Sequence, residues 1–374
     1  MKANSQIILF VLPVLAEYRV DFLNELNANL YKANITLIVI TGNSMNNKII
    51  KEYSTANFII HKCDTVGYSF LGFDLRRQKG LFKYIRKLKP SKLVMLYNAG
   101  NINYNLLLLS LWIRKVPYYL WGCGYENKNL AGFRYKLKSF VKNFLIKRAK
   151  AYISYSSFHA SQILETGQKK VIIAQNTINV ERIVTKYSSI EKPEIKNGLK
   201  FFYVGALTPE KRLDKAIECF SILKEKKISF TFTIVGDGII KKELEKRVVS
   251  MKLKDCVFLT GAKYGAELEE IFLSSHVFLL TGLGGLALNE AMAYGKPVIS
   301  TPADFTAYDL IVNNENGFLI PYNFSNEELI NILIQFTKKS NDEIYKMGMK
   351  SREIIIKKAT LQNMVDSFAE CILN

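Results

Sequence analysis

Short apolar runs alternate with amphipathic helical stretches along the chain. In the first half, buried strands are predicted at Gln6–Leu12, Ile35–Ile40, Phe58–His61, Lys92–Tyr97, Tyr118–Trp121, Ala151–Ser154 and Val171–Ala174. Apolar stripes at helical spacing predict helices at Val20–Leu30, Arg77–Leu88, Asn103–Arg114, Phe133–Arg148 and Ser157–Glu165. Strands that alternate with helices in this way are typical of a parallel sheet with crossover helices.

The pattern starts afresh after the polar, turn-rich segment Glu191–Gly198, which we interpret as a linker. Strands are predicted at Lys200–Val204, Phe230–Val235, Val257–Thr260, Val277–Leu280 and Val298–Ile299, and helices at Leu213–Lys224, Ile239–Met251, Ala266–Ser274 and Leu286–Ala293. Glycines follow several of these strands. Because ligands of open α/β sheets bind outside the carboxyl ends of the strands, we expect one continuous site at this edge.

The length and composition of the chain indicate two globular domains. It has 374 residues, of which 49% are apolar and only 8 are proline, and this length is too great for a single core. We expect an N-terminal domain over residues 1–195, a second domain over 196–355, and a final helix over 356–374 that crosses back to the first. No apolar run is long enough to predict a transmembrane helix.

The cysteines and histidines predict no metal site. The 5 cysteines and 3 histidines lie far apart, without pairing or metal-ligand spacing, so we expect a reducing compartment, the cytoplasm.

Positive charge is concentrated in the first half. Residues 1–195 contain 29 Lys and Arg against 11 Asp and Glu, whereas residues 196–374 contain 23 against 22. Helix 133–148 has no acidic residue, and segment 75–89 is similarly basic. We expect this face to contact the anionic inner surface of a membrane, with solvated lysines and nucleic-acid binding as alternatives. Nucleic acid is disfavoured because no nucleic-acid-binding motif accompanies the charge.

The stretch Gly282–Ser300 carries the strongest chemical signal. Gly282, Gly284 and Gly285 follow a predicted strand, and the helix that follows begins at Leu286. The uncapped N–H groups and dipole of a helix N-terminus form an anion site, and consecutive glycines allow a ligand to approach the backbone closely. Glu290 lies one turn further along this helix.

The sequence of Gly282–Ser300 resembles the nucleotide-sugar site of retaining family-4 glycosyltransferases of the GT-B fold. In that fold two Rossmann-like domains face each other across a cleft. The resemblance implies that Glu290 binds the ribose hydroxyls of the donor, and that a second glutamate of the family is replaced here by Gly282. A further similarity is Val204–Arg212, where the family supplies two cations to the donor diphosphate. Lys211 matches the lysine, Gly205 opens the loop, and Ala206 occupies the arginine position, with Arg212 as a candidate substitute.

Two segments of the first half resemble the family more loosely. Leu120–Glu126 is similar to a Trp-Gly-His-Gly landmark in which the histidine lies beside the transferred sugar, and here Cys123 replaces it. A structural cysteine and a functional one both fit that position. Arg19, in a segment similar to a Pro-Tyr-Arg loop of some members, is a candidate ligand for an acceptor phosphate or the donor diphosphate.

The resemblance implies a metal-independent glycosyltransferase without a cofactor. It would move a hexose-like sugar from a nucleotide-diphosphate donor to a lipid-linked or polysaccharide acceptor in capsule, lipopolysaccharide O-antigen or related glycan synthesis. The departures at Gly282, Ala206 and Cys123 leave two alternatives open. One is an inactive relative that serves as a binding or scaffold partner, and the other is a sugar-nucleotide epimerase or phosphorylase on the same fold.

Overall fold

The chain divides into two compact units, each with its own sheet. The structure is a computed structural model that describes residues 6–42, 54–70, 73–123, 133–192 and 194–373. One unit comprises residues 1–175 with 361–374, and the other comprises residues 176–360.

The first unit is built on a parallel sheet. Its strands are β1 (Gln6–Leu12), β2 (Ile35–Gly42), β3 (Ile59–Cys63), β4 (Thr65–Phe70), β5 (Phe73–Gln78), β6 (Lys92–Leu96), β7 (Tyr118–Gly122), β8 (Ala151–Ser154) and β9 (Val171–Ile173). Seven of them form the parallel sheet, in the order β3-β2-β1-β6-β7-β8-β9, while β4 and β5 form a separate antiparallel hairpin. The first helices of the chain are α1 (Tyr18–Lys32), α2 (Leu81–Leu88), α3 (Ile102–Ile113), α4 (Phe133–Arg148) and α5 (Ser157–Glu165).

The second unit has the strand order of a dinucleotide-binding fold. Its strands are β10 (Leu199–Val204), β11 (Phe230–Val235), β12 (Val257–Gly261), β13 (Val277–Leu280), β14 (Val298–Ser300) and β15 (Gly317–Leu319). They pair in parallel in the order β12-β11-β10-β13-β14-β15. Its helices are α6 (Val180–Lys186), α7 (Leu213–Glu225), α8 (Lys241–Ser250), α9 (Gly265–Ser274), α10 (Leu286–Ala293), α11 (Ala307–Leu310), α12 (Asn326–Thr337) and α13 (Asn341–Lys358).

The last helix, α14 (Leu361–Leu373), belongs to the first unit. Its Phe368 ring lies 6.1 Å from Phe10, 4.8 Å from Phe22 and 5.0 Å from Trp121, between centroids. The side chain of Lys92, in β6, donates to the carbonyl of Ile372 in α14. Because these rings form one face of the core, α14 completes that core.

The predicted α/β architecture with two Rossmann-like halves is confirmed. The division along the chain falls at 175/176 rather than at the predicted 195/196, since α6 packs in the second unit. There Arg352 of α13 donates to the carbonyls of Val184, at 3.0 Å, and of Ala293, at 3.1 Å. These bonds attach α6 and α10 to the same helix.

The prediction of a helix over Arg77–Leu88 was partly wrong. Residues up to Gln78 form β5, and the helix begins only at Leu81, after Gly80 with φ 84°. The Gln78 side chain is buried and donates to the carbonyl of Leu12 at 2.8 Å. This long-range contact holds the hairpin on the sheet, and the local pattern does not reveal it. Across the residues that the structure describes, no helix is both long and apolar enough to cross a bilayer.

Candidate functional site

The order in which strands are added to the second sheet reverses between β10 and β13. These two strands are neighbours in the sheet, although β11 and β12 come between them in the sequence. At such a switch point the loops after the two strands diverge and leave room for a ligand. Here those loops are residues 205–212 and residues 281–285. The predicted site residues of the second half lie in these two loops and in α10.

The two loops are joined by reciprocal hydrogen bonds. The N–H of Leu283 donates to the carbonyl of Glu210 at 3.0 Å, and the Lys211 ammonium donates to the carbonyl of Leu283. The hydroxyl of Thr281 donates to the carbonyl of Lys211 at 2.9 Å. These bonds fix Lys211 beside the glycine loop.

Gly282 is required by the close approach of the Lys211 loop. A Cβ atom at this position would lie 2.0 Å from the carbonyl oxygen of Glu210 and 2.6 Å from the Cα of Lys211. The hydroxyl of Thr301 donates to the Gly282 carbonyl at 2.8 Å and holds it from the opposite side. A glutamate does not fit here in this backbone arrangement, so the departure from the family pattern is built into the loop packing.

Gly205 also fixes the arrangement of loops. Its N–H donates to the carbonyl of Val235 at 3.0 Å. Its own carbonyl would lie 1.8 Å from a Cβ atom on Gly236, so the two loops touch backbone to backbone. Gly205 therefore contributes to the site through the shape of its loop.

The glycine loop leads directly into α10. Leu288 donates to the carbonyl of Gly285 at 2.9 Å, so the first N–H groups of the helix, including that of Leu286, have no acceptor within the helix. At Gly284, with φ 158°, a Cβ atom would lie 3.1 Å from the Lys211 ammonium. The ammonium, the N–H groups and the helix dipole together make this corner attractive to an anion.

Asp304 is an acidic neighbour of this corner. Its Oδ2 would lie 2.4 Å from a Cβ atom on Gly285, so only glycine leaves room for the carboxylate. Thr306 donates to its Oδ1 through the hydroxyl at 2.5 Å. Burial raises the pKa of Asp304, while the hydrogen bonds from Thr306 and the charge of Lys211 act in the opposite direction. Burial lowers the pKa of Lys211, and Glu210 and Asp304 oppose that shift. The lysine and the aspartate are therefore electrostatically coupled across the glycine loop.

Glu290 lies on α10 one turn beyond the loop and is partly buried. Burial, with a smaller contribution from the charge of Glu269, raises its pKa to about 7. Within the described ranges no hydrogen bond or ion pair to this carboxylate is formed, whereas Glu269 accepts from Lys186 and from the hydroxyl of Tyr187 at 2.8 Å. A desolvated carboxyl group without a protein partner is typical of a ligand site.

Arg212 is directed elsewhere. Its guanidinium lies 4.6 Å from the ring centroid of Phe324 and 5.2 Å from that of Tyr322. It therefore makes cation–π contacts. Ala206 presents no cation, and its carbonyl accepts from the hydroxyl of Tyr203 at 3.0 Å. Of the two predicted cations, the structure brings only Lys211 to the glycine loop.

Arg19 and Cys123 lie at the carboxyl edge of the first sheet. The Arg19 guanidinium is 5.0 Å from the ring centroid of Trp121 and donates to the hydroxyl of Tyr155 at 3.2 Å. Cys123 directly follows β7, is partly exposed and packs beside the apolar core. Residues 124–126, which end the Leu120–Glu126 segment, lie outside the described residues.

Sequence reasoning missed the threonines and the aspartate that organise the site. Thr281 and Thr301 each follow a strand directly, and Asp304 lies in the loop after β14. Polar residues immediately after strands of the switch-point edge were the available signal. In the part of the chain that the structure describes, no group of three or more His, Cys, Asp or Glu is placed to hold a metal ion.

The segment of the chain that matches a known protein family contains this site. Residues 185–361 match the model of the family described as Glycosyl transferases group 1. One relative is an Escherichia coli protein named as a colanic acid biosynthesis glycosyltransferase. It is 29% identical over 218 residues, which cover 56% of this chain and 53% of the relative. The amylovoran biosynthesis glycosyltransferase of Erwinia amylovora is 33% identical over 38% of each chain. The chain thus matches about half the length, or less, of these curated relatives.

Solved structures resemble the whole chain in fold. Anabaena HepE, solved in complex with UDP, aligns with a TM-score of 0.71 at 15% identity and covers 98% of this chain and 99% of its own. S. aureus TarM, also solved with UDP, aligns with a TM-score of 0.69 at 13% identity, over 98% and 100%. Residues 185–361 are thus similar to glycosyltransferases of this family, and the solved structures show that the chain has the GT-B fold.

Proposed function

We propose that this chain transfers a sugar from a nucleoside-diphosphate donor to a lipid-linked or polysaccharide acceptor in the synthesis of a bacterial cell-surface glycan. One observation carries the proposal. Lys211 and the free N–H groups of α10 converge on the glycine loop, and the unpartnered carboxyl group of Glu290 lies one turn further along the same helix. This combination suits a ligand with both an anionic and a hydroxyl-bearing part.

The chemistry follows from what these groups do to a diphosphate leaving group. As the bond between the sugar and the diphosphate breaks, negative charge grows on the diphosphate oxygens. Lys211 and the α10 N–H groups are fixed beforehand by the loop bonds and stabilise that charge without reorganisation. Glu290 would accept hydrogen bonds from the ribose hydroxyls. We therefore propose a metal-independent, hexosyltransferase-like reaction that retains anomeric configuration, as the family resemblance implies.

The names of relatives support this choice of substrates. They include the amylovoran enzyme and a poly(ribitol-phosphate) alpha-N-acetylglucosaminyltransferase of Staphylococcus aureus, 25% identical over 59% of this chain. HepE was also solved with UDP-glucose. UDP and UDP-sugars are therefore the first ligands to test.

We further propose that the first unit binds the acceptor and contacts the cytoplasmic face of the membrane. The support is the charge of that unit, since residues 1–175 with 361–374 contain 26 Lys and Arg against 10 Asp and Glu. Arg19 and Cys123, at the carboxyl edge of that unit's sheet, are the proposed acceptor-side residues. The guanidinium would bind a phosphate, and the thiol would contact a sugar hydroxyl.

A second candidate is a nucleotide-binding protein that does not turn over its ligand. The observation that favours it is the missing polar groups, since Gly282 has no room for a carboxylate and Arg212 makes contacts with aromatic rings.

A thermal-shift screen of nucleoside diphosphates and their sugars would identify the donor. Donor hydrolysis and acceptor-dependent transfer by the purified chain support the first candidate. Stabilisation by nucleotide without either reaction supports the second, and no stabilisation by any nucleotide contradicts both.

A further inference from the structure

Helix α3 in the first unit exposes an apolar stripe. Ile102, Leu106, Leu109 and Ile113 are spaced four, three and four residues apart, so they share one face of the helix. All four are exposed, Leu106 to 53% and Ile113 to 67%. The opposite face buries Tyr104, Leu107, Leu108 and Leu111 in the core. Helix α3 therefore has apolar side chains on both faces, and among the described residues packing accounts for only one of them.

A basic pocket lies at the end of this stripe. A cavity of about 280 Å³ is lined by Trp112, Lys115, Val116, Pro117, Tyr118, Arg148 and Lys150. The Arg148 guanidinium lies 5.2 Å from the ring centroid of Trp112. No carboxylate pairs with Lys115, Arg148 or Lys150 among the residues described. The pocket thus combines three cations with an aromatic wall.

The surrounding sequence is nearly free of acids. Residues 75–164 contain 18 Lys and Arg, and Glu126 is the one acidic residue among them. A second copy of the chain would bring the same positive charge against this stripe, which disfavours self-association. An anionic bilayer offers the complementary pair of properties, phosphate headgroups for the cations and hydrocarbon for the stripe.

We infer that α3 docks this protein on an anionic lipid bilayer, with its apolar stripe (Ile102, Leu106, Leu109 and Ile113) entering the interface and its basic pocket binding a lipid phosphate headgroup. This inference rests on the membrane contact proposed above, but it assigns that contact to α3 rather than to the lysines of α4. It also adds an apolar component, which salt does not screen.

Trp112 reports directly on this contact. The chain has 2 tryptophans, of which Trp112 is 38% exposed at the pocket and Trp121 is 0% exposed in the core. With vesicles containing phosphatidylglycerol, we expect the fluorescence of Trp112 to shift to shorter wavelength and to be quenched by brominated lipid chains. The Trp112→Phe variant should lose this response, since Trp121 stays shielded.

Two sets of substitutions separate the apolar and the charged contributions. Replacing the stripe by Leu106→Ser, Leu109→Ser and Ile113→Ser should weaken vesicle binding at least about tenfold, including at high salt. A matched control changes exposed apolar residues of the second unit, by Ile239→Ser and Val249→Ser, and should leave binding unchanged. The pair Lys115→Glu and Lys150→Glu should weaken binding at low salt in particular.

Three results would overturn the inference. They are equal vesicle binding by the wild type and the triple serine variant, absence of Trp112 quenching by brominated lipid, and a wild-type dimer in sedimentation that the serine variant no longer forms. Calorimetric binding of a nucleoside diphosphate, measured on the same variants, reports separately on the donor site of the second unit. A failure of docking is thereby distinguished from a failure of the proposed reaction.

Discussion

The Asp304 carboxylate lies so close to Gly285 that a methyl group on the glycine would stand 2.4 Å from its Oδ2. This contact joins the loop after β14 to the start of α10. Because Lys211 contacts the same glycine loop at Leu283 and Gly284, the corner is bounded by one cation and one acid. The shape of the proposed diphosphate site depends on this contact.

Gly285→Ala is therefore expected to distort the site. The new Cβ atom would clash with the Asp304 carboxylate, and this clash is the part of the cost that a change at Asp304 can relieve. We expect nucleoside-diphosphate affinity to fall about tenfold, or the free energy of unfolding to fall by roughly 1–3 kcal/mol. Adding Asp304→Ala should restore most of the loss. A calorimetric double-mutant cycle in which the two changes are simply additive would contradict the assigned contact.

Lys211→Ala should reduce turnover more than donor affinity, because the charge on the diphosphate grows in the transition state. We expect a loss of about 100-fold in kcat, typical for removal of one preorganised donor. Arg212→Ala is the matched control, since that side chain contacts Tyr322 and Phe324. It should change kcat by less than about threefold. Wild-type turnover in Lys211→Ala would refute the diphosphate role.

Glu290 should make nucleotide affinity depend on pH. Its pKa of about 7 in the free protein means that it is largely protonated at pH 6 and ionised at pH 8. Ribose hydroxyls bind the ionised form more strongly, so affinity should rise roughly tenfold from pH 6 to pH 8. Glu290→Gln should lose that part of the dependence, and Glu290→Ala should lose roughly 2–3 kcal/mol of binding energy at pH 8. An identical pH profile in Glu290→Gln would refute the ribose role.

The same carboxyl group should cost stability when it ionises. Its pKa is raised from 4.5 to about 7 on folding, so its contribution is fully favourable below pH 4.5 and is lost as the pH rises through 7. Glu290→Gln should therefore be more stable than the wild type at pH 8, by about 1–3 kcal/mol, and equally stable near pH 4.5. Urea unfolding at both pH values measures the difference. A destabilised Glu290→Gln at pH 8 would show that the carboxylate has a structural partner.

His276 predicts the opposite trend on the acid side. Burial, helped by the charges of Lys296 and Lys200, lowers its pKa from 6.5 to about 4, and its Nδ1 accepts from the Lys200 N–H at 2.9 Å. This contribution is present above pH 6.5 and is lost as the pH falls through 4. We expect His276→Asn, which keeps an acceptor, to reduce the loss of stability between pH 7 and pH 4 by roughly 2–3 kcal/mol. Urea unfolding measures this loss, and the same loss of stability between pH 7 and pH 4 in the variant and the wild type would contradict this assignment.

The local pattern of the sequence was enough to predict most strands and the glycine loop. Buried strands of a parallel sheet are continuous apolar runs, and Val277–Leu280 followed by three glycines is unambiguous. The hairpin of β4 and β5 was missed because its position depends on Gln78 reaching the carbonyl of Leu12, a contact between distant segments.

The chemistry of the site was less predictable than its location. From the sequence, Gly282 was interpreted as the position where this chain lacks a glutamate of the family. The structure shows that the backbone of Glu210 and Lys211 approaches too closely for any side chain there. Asp304 lies between Ala303, with φ 58°, and Phe305, with φ 70°. Neither residue type favours that conformation, so the turn that directs the carboxylate at Gly285 has no local signature.

The most direct test of the central claim is calorimetric titration of the purified chain with UDP and the other nucleoside diphosphates, repeated on Lys211→Ala and Glu290→Ala. We predict saturable binding of at least one nucleoside diphosphate by the wild type. Glu290→Ala should weaken it by roughly 2–3 kcal/mol and Lys211→Ala by less, in proteins that remain folded. Binding that is unaffected by both substitutions, or no binding of any nucleoside diphosphate, would contradict the assignment of the glycine loop and α10 as the donor site.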